Sequence, residues 1–157
     1  MKEIPLTQGR VALVDDEDFD FINQWKWYVA HGHAVHHSFG RHTRFIHMHR
    51  IIAERHGINL NGQLIDHRDG DGLNNQFNNL RVATQAQNQY NQGLAKNNKS
   101  GFKGVYWDKQ YGKWRVLLRK SGETVLDRRF DNLLEAAKAY NDAAFKHFGE
   151  FARLNLV

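Results

Sequence analysis

Residues 65–92, IDHRDGDGLNNQFNNLRVATQAQNQYNQ, constrain this chain more than any other stretch. Residues 62–67 read as a strand that delivers Asp66-His67 at its end. Asp69, Gly70, Asp71 and Gly72 then supply turn chemistry and make a loop. Thr84-Gln-Ala-Gln87 has the form of a capping box, which predicts a helix from about Ala86 to about Asn91. The order is strand, loop, short strand, helix. It is expected to bring the strand end beside the helix, with Asn88, one turn in, facing Asp66 and His67.

These side chains carry a definite chemistry. Asp66 offers a carboxylate and Asn88 an amide oxygen, hard donors that suit Mg²⁺ or Mn²⁺. An imidazole with a pKa near ~6.5, such as that of His67, can deprotonate water. Asn79 can hydrogen-bond either the loop or the histidine and fix it. Such a set can cut a phosphodiester. The competing reading is that Asp66-His67 caps a strand and that the asparagines serve turns alone. Asn75, Asn78 and Asn91 are near-equivalents, read as loop-stabilising amides. A calcium loop fits poorly: counted from Asp66, position 3 is Arg68 and the required glycine is Asp71.

Residues 47–98 resemble the HNH endonucleases, in the form found in phage and intron-encoded homing enzymes. The residues that carry the likeness are His49-Arg50, Asp66-His67, Asn74-Asn75, Asn78-Asn79-Leu80-Arg81, Asn88 and Asn98. The resemblance implies that His67 is the general base and that Asp66 and Asn88 hold one divalent ion, with Asn79 at the middle position of the motif. Asn88 replaces the final histidine of the family name, as in relatives that use Mg²⁺ or Mn²⁺, which argues against a zinc-preferring site. It also implies a ββα-metal module, 5′-phosphate and 3′-hydroxyl products, and a phage gene acting in a bacterial cytoplasm.

The remainder of the N-terminal half reads as short strands. Val11–Val14 is a compact apolar run ended by Asp15-Asp16-Glu17-Asp18, and Gly32 centres a hairpin flanked by Trp27-Tyr28 and Ala34-Val35. Residues 46–56 have helical spacing and stop at Gly57. His31, His33, His36, His37 and His42 lack metal-motif spacing and read as solvated hairpin histidines, while His47 and His49 are expected to orient the site or pack beneath it. The chain has no cysteine, so disulfides and thiolate metal sites are excluded. No apolar run reaches the ~18 residues of a membrane span, and MKEIPLTQGR lacks the apolar core of a signal peptide.

Charge is unevenly placed. Residues 1–95 hold 9 Lys/Arg against 10 Asp/Glu, whereas residues 96–157 hold 13 against 7. The basic half is expected to face a polyanion. Residues 92–100, QGLAKNNKS, read as a linker between a domain at 1–95 and another at 96–157. Beyond them three strands are predicted, at about 101–107, 113–120 and 123–130. In KWRVLLRK, Trp114, Val116 and Leu118 alternate with Lys113, Arg115, Leu117 and Arg119. A helix follows with Asn132 as N-cap and Glu135 three residues on, and its stripe of Ala136, Ala137, Tyr140, Ala143, Ala144 and Phe148 is closed by Gly149.

Residues 100–155 resemble the ethylene-response-factor (apetala-type) DNA-binding domain, through Gly101–Val105, Tyr111-Gly-Lys-Trp114, Phe130-Asp131, Glu135-Ala-Ala137, Ala139-Tyr140 and Leu154-Asn155. The likeness implies a three-stranded antiparallel sheet packed on one helix and laid in the DNA major groove. By position, Lys103, Tyr106, Tyr111, Lys113, Arg115, Arg119 and Arg129 are the expected DNA contacts. Tyr106, Asp108 and Thr124 stand where the family has arginines, so its target sequence does not carry over. The fold class is therefore α+β, and the expected function is a homing-type endonuclease on double-stranded DNA. Three rivals remain at this point: a regulator with a decayed nuclease module, a repair or processing nuclease that acts on structure, and a zinc-stabilised architecture built on the histidine-rich N-terminal part.

Overall fold

The computed structural model describes residues 1–37 and 44–157, and it forms two compact units, Met1–Thr84 and Gln85–Val157. His42 lies outside the described residues. Three small antiparallel sheets build the first unit. Strands β1 (Lys2–Pro5) and β2 (Val11–Val14) pair as a hairpin. Strands β3 (Tyr28–Ala30), β4 (His33–His37) and β5 (Phe45–His47) form a second sheet in that order. The β3–β4 turn is His31-Gly32, both at positive φ, as a tight right-twisting hairpin requires. Strands β6 (Leu64–His67) and β7 (Leu80–Ala83) form the third sheet, with Asp66 opposite Arg81 and His67 opposite Leu80.

Two helices brace these sheets. The acidic run expected only to end a strand instead opens helix α1 (Asp16–Ile22). Asp16, Glu17 and Asp18 occupy its first turn, where the N-terminal dipole favours carboxylates. Helix α2 (Met48–Arg55) starts two residues later than its periodicity suggests, because Phe45–His47 pairs with β4. The fully buried Asp18 ties the two helices: Arg55 Nε donates to it at 3.0 Å and His56 Nε2 lies 2.9 Å away. Ile4, Val14, Ile22, Trp27, Met48 and Ile52 fill the core beneath.

The second unit begins with helix α3 (Gln85–Asn91), continues through the polar segment 92–100, and then forms one sheet. Its strands β8 (Val105–Asp108), β9 (Lys113–Lys120) and β10 (Glu123–Phe130) run antiparallel with β9 central. The first is shorter than predicted, since Phe102–Gly104 turns into it rather than pairing. Helix α4 (Leu133–Phe148) packs Ala136, Ala137, Tyr140, Ala144 and Phe148 on Val105, Val116 and Leu118. Asn132 caps it through Oδ1, which accepts from the Leu134 and Glu135 N–H groups. In α3, Tyr90 stacks on Phe148 at 3.8 Å between ring centroids.

Gly104 is the tightest point of this unit. Its φ is +72°, and a Cβ there would lie 2.2 Å from the Tyr140 ring. Gly104→Ala therefore combines backbone strain with overpacking and is expected to cost ~2–4 kcal/mol. Hydrogen exchange across β8–β10 measures it; protection equal to that of the parent chain would refute the close approach.

Candidate functional site

His67 ends β6 with its ring 4% exposed, and the loop after it is built to hold that ring. Its Nε2 lies 3.3 Å from Oδ1 of Asn75, a fully buried amide. The orientation of that amide is set independently, because its Nδ2 donates to the Leu73 carbonyl at 3.1 Å. Oδ1 therefore faces the imidazole as an acceptor, and Nε2 carries the hydrogen of that bond. The backbone of Asn75 is anchored to β2: its N–H donates to the Leu13 carbonyl at 2.8 Å, and the Leu13 N–H donates to Leu73 at 2.8 Å. Asp15 extends the clamp by accepting from the Phe77 N–H and the Gln76 side chain. Thus the N-terminal hairpin scaffolds the loop that positions His67.

Asn79 takes the first of the two roles open to it and braces the loop. Its Oδ1 accepts from the Asp69 N–H at 3.2 Å, and its Nδ2 donates to Asp69 Oδ1 and to the Asn74 carbonyl. Burial alone would raise the Asp69 carboxyl. Hydrogen bonds from the Asp71 N–H and from the Asn79 and Asn74 amides outweigh it and hold that carboxyl below the usual range. The histidine partner is Asn75, which the sequence reading left among loop-stabilising amides. Only its place in the doubled Asn74-Asn75 of the motif hinted at more.

Asp66 is 5% exposed and lies against Arg81, its cross-strand neighbour, whose Nε and Nη2 stand 2.9 and 2.7 Å from Oδ2. This buried pair fixes the carboxylate's orientation. Asn88 sits on α3, in the second unit, and is half-buried.

Of the hairpin histidines, His31 and His37 are exposed as expected, whereas His33 and His36 are not. His36 is buried and stacks on Trp25, with ring centroids 5.4 Å apart. His33, half-buried on β4, stands with His49 of α2 and His67 in one cluster, the ring centroids 5.0–5.4 Å apart. Their ligating nitrogens all lie within 4.8 Å of one another. Gly72 makes room for this: a Cβ there would meet His33 Nδ1 at 2.5 Å. Burial, with the neighbouring imidazoles adding to it, pushes His33 down to about 4 and His49 to about 2. Burial also lowers His67, against the opposing pull of Asn75, Asp69, Asp66 and Asp71. All three rings are therefore neutral at pH 7. Sequence spacing could not reveal the cluster, since its members come from β4, α2 and β6.

In the second unit the sheet face opposite α4 carries Tyr106, Lys113, Arg115, Arg119 and Arg129, with Tyr111 in the β8–β9 turn. Arg129 lies over the Tyr111 ring at 4.1 Å. Three of these cations meet carboxylates: Arg115 clasps Asp127 with two nitrogens, Arg129 donates to Asp108, and Lys113 to Asp131. Lys103 is not among them. Its ammonium donates to the Tyr90 and Gln92 carbonyls at the end of α3. Trp114 packs into the core beside Val116, as its alternation implies, and meets Trp107 edge-on at 5.0 Å.

A buried, amide-oriented histidine thus stands beside a carboxylate at the end of β6. The HNH endonuclease family model matches residues 47–90, from the end of β5 through most of α3. Protein 3.8 of Escherichia phage T7 is 38% identical over 92 residues, which is 59% of this chain and 75% of that protein. An uncharacterized HNH endonuclease of Acanthamoeba polyphaga mimivirus is 28% identical over 96% of this chain and 77% of its own length. No solved structure matches. The chain belongs to the HNH endonuclease family and is a nuclease. Nucleases of this family act on DNA and generally use a divalent metal. No described helix is long and apolar enough to cross a membrane.

Asn75→Ala removes the acceptor of His67 and leaves buried groups unpaired. It is expected to cost ~2–3 kcal/mol and to mix the two His67 tautomers. Asn79→Ala is expected to leave the tautomer unchanged. Imidazole ¹⁵N spectra read both, and a single unchanged tautomer in Asn75→Ala would contradict the hydrogen-bond assignment.

Proposed function

We propose that this nuclease is a homing-type DNA endonuclease, with the cutting chemistry in residues 1–95 and a sheet-based DNA reader in residues 96–157. The observation that carries the reading is the contact between His67 Nε2 and the amide oxygen of buried Asn75 within the HNH-matched segment. With Nε2–H held by the amide, Nδ1 of His67 takes the proton of the attacking water. Asn75 keeps the ring from turning and stabilises the imidazolium that forms, while Asn79 and Asp69 keep the loop from opening. Asp66 and Asn88 are the residues that would hold a Mg²⁺ or Mn²⁺ ion, which would polarise the scissile phosphate and offset charge on the leaving 3′ oxygen. Arg81 keeps the Asp66 carboxylate in one orientation for that task.

The reader follows the resemblance of residues 100–155 to the ethylene-response-factor domain, and a three-stranded sheet backed by one helix is consistent with it. Double-stranded DNA is the partner. Arg115, Arg129 and Lys113 exchange Asp127, Asp108 and Asp131 for phosphates or base edges, whereas Arg119 and the exposed rings of Tyr106 and Tyr111 contact DNA directly. Tethering a weakly specific cutter to a reader raises its effective concentration at the chosen site.

Supercoiled plasmid or phage DNA incubated with Mg²⁺, Mn²⁺ or EDTA tests the enzyme. Metal-dependent nicking or linearisation is expected, reduced by ~10²–10⁴-fold in His67→Ala. Tight, salt-sensitive binding without cutting of any DNA would instead favour the regulator reading. For the reader, Arg119→Ala is expected to lower the slope of log affinity against log salt by about 1. An unchanged slope would remove Arg119 from the DNA interface.

A further inference from the structure

Residues 24–28, Gln-Trp-Lys-Trp-Tyr, lead from α1 into β3 and carry three aromatic rings. Of the three, Trp27 is fully buried, and its Nε1–H donates to the Ile22 carbonyl at 2.8 Å. Trp25 and Tyr28 are only half-buried, and each stacks on a histidine of β4: Trp25 on His36 at 5.4 Å and Tyr28 on His37 at 5.0 Å between ring centroids. Among the described residues no ring contact joins one pair to the other, and both pairs line a single cavity of about 470 Å³. Thr7, Gln24 and Lys26 contribute exposed polar side chains to its wall. Tyr28 brings one further demand. Its hydroxyl is buried with no hydrogen-bond partner among the described residues, which is destabilising until a ligand supplies one.

We propose that this cavity receives one nucleobase swung out of the stack of the DNA substrate, which presupposes the DNA partner assigned above. The volume lies in the range of small-ligand sites and holds a base with its sugar. Aromatic faces stack on any base, since every base has a π-face. The Gln24 amide both donates and accepts, so it can meet a base edge, and the Lys26 ammonium can meet the adjoining phosphate. An apolar side chain of a protein partner would use the rings but leave the Tyr28 hydroxyl and the Lys26 cation unmatched. The position agrees with a strand of DNA passing the cutting site. His33 of β4 stands with its ring 5.4 Å from that of His67, and His36 follows three residues along the same strand, ~10 Å away at ~3.3 Å per residue. One DNA strand advances ~3.4 Å per nucleotide, so the cavity lies about three base steps from the imidazole.

The experiment compares two duplexes of one sequence, one fully paired and one with a single unpaired thymidine, bound to the purified full chain in EDTA so that nothing is cut. An unpaired base costs least to swing out, so the parent chain is expected to bind that duplex about tenfold more tightly. His37→Ala, at an exposed position, removes one stacking ring and is expected to abolish the difference while leaving the paired duplex bound as before. Arg119→Ala is expected to weaken both duplexes alike. Should His37→Ala disturb folding, the unmodified chain decides: iodouracil at the unpaired position, cross-linked by light, must attach within residues 24–37. Equal affinity for the two duplexes, a preference that survives His37→Ala in a folded chain, or attachment confined to the second unit would overturn the proposal. Plasmid cleavage with Mg²⁺ reads the nuclease separately. Attachment within residues 24–37 in a chain that cuts no DNA would keep the cavity and refute the cleavage mechanism.

Discussion

One buried amide holds the first unit's chemistry in place. Asn75 is fully buried and reaches in three directions: its backbone to Leu13, its Nδ2 to Leu73 and its Oδ1 to His67. A buried amide is costly unless its groups are paired, so these partners define one arrangement of loop, strand and imidazole. The β1–β2 hairpin, Asp15 and α1 are best understood through this need. They lend the loop an edge to bond to, one that the β6–β7 hairpin by itself does not supply.

A second constraint comes from the crowd of imidazoles around His67. Burial of His33 and His49 beside His67 disfavours their charged forms, and the bare backbone of Gly72 makes the approach possible. A site of this kind is tuned by burial more than by charge. The carboxylates of Asp66, Asp69 and Asp71 pull the other way and temper the effect on His67.

The second unit handles charge by a different device. Its sheet bears a basic face, but Asp108, Asp127 and Asp131 stand within that face as internal counter-ions. Such pairs add little stability in the open, and they hold long cationic side chains extended. Lys103 lies apart from this face, its ammonium on the last carbonyls of α3, a favourable place for a cation at a helix end.

Much of this molecule was written in local pattern. Period-two alternation in residues 113–120, the Asn132 cap and the alanine stripe of α4 foretold the β9–α4 packing, because each depends on neighbours within a few residues. The turn at His31-Gly32, the strand carrying Asp66-His67 and the nuclease motif were equally legible. Helix α1 was not, since a run of acids reads as a strand terminator until a helix dipole is there to use it. Nor were the partner of His67, the Asp66–Arg81 pair and the three-histidine cluster. These join residues from separate strands and helices, and sequence spacing carries no record of which segments meet. The sequence by itself determined the residue types and hence the chemistry available. Only the tertiary structure decided which nitrogen of His67 holds the proton, because that depends on one amide whose own orientation is set by a neighbouring carbonyl in the folded loop.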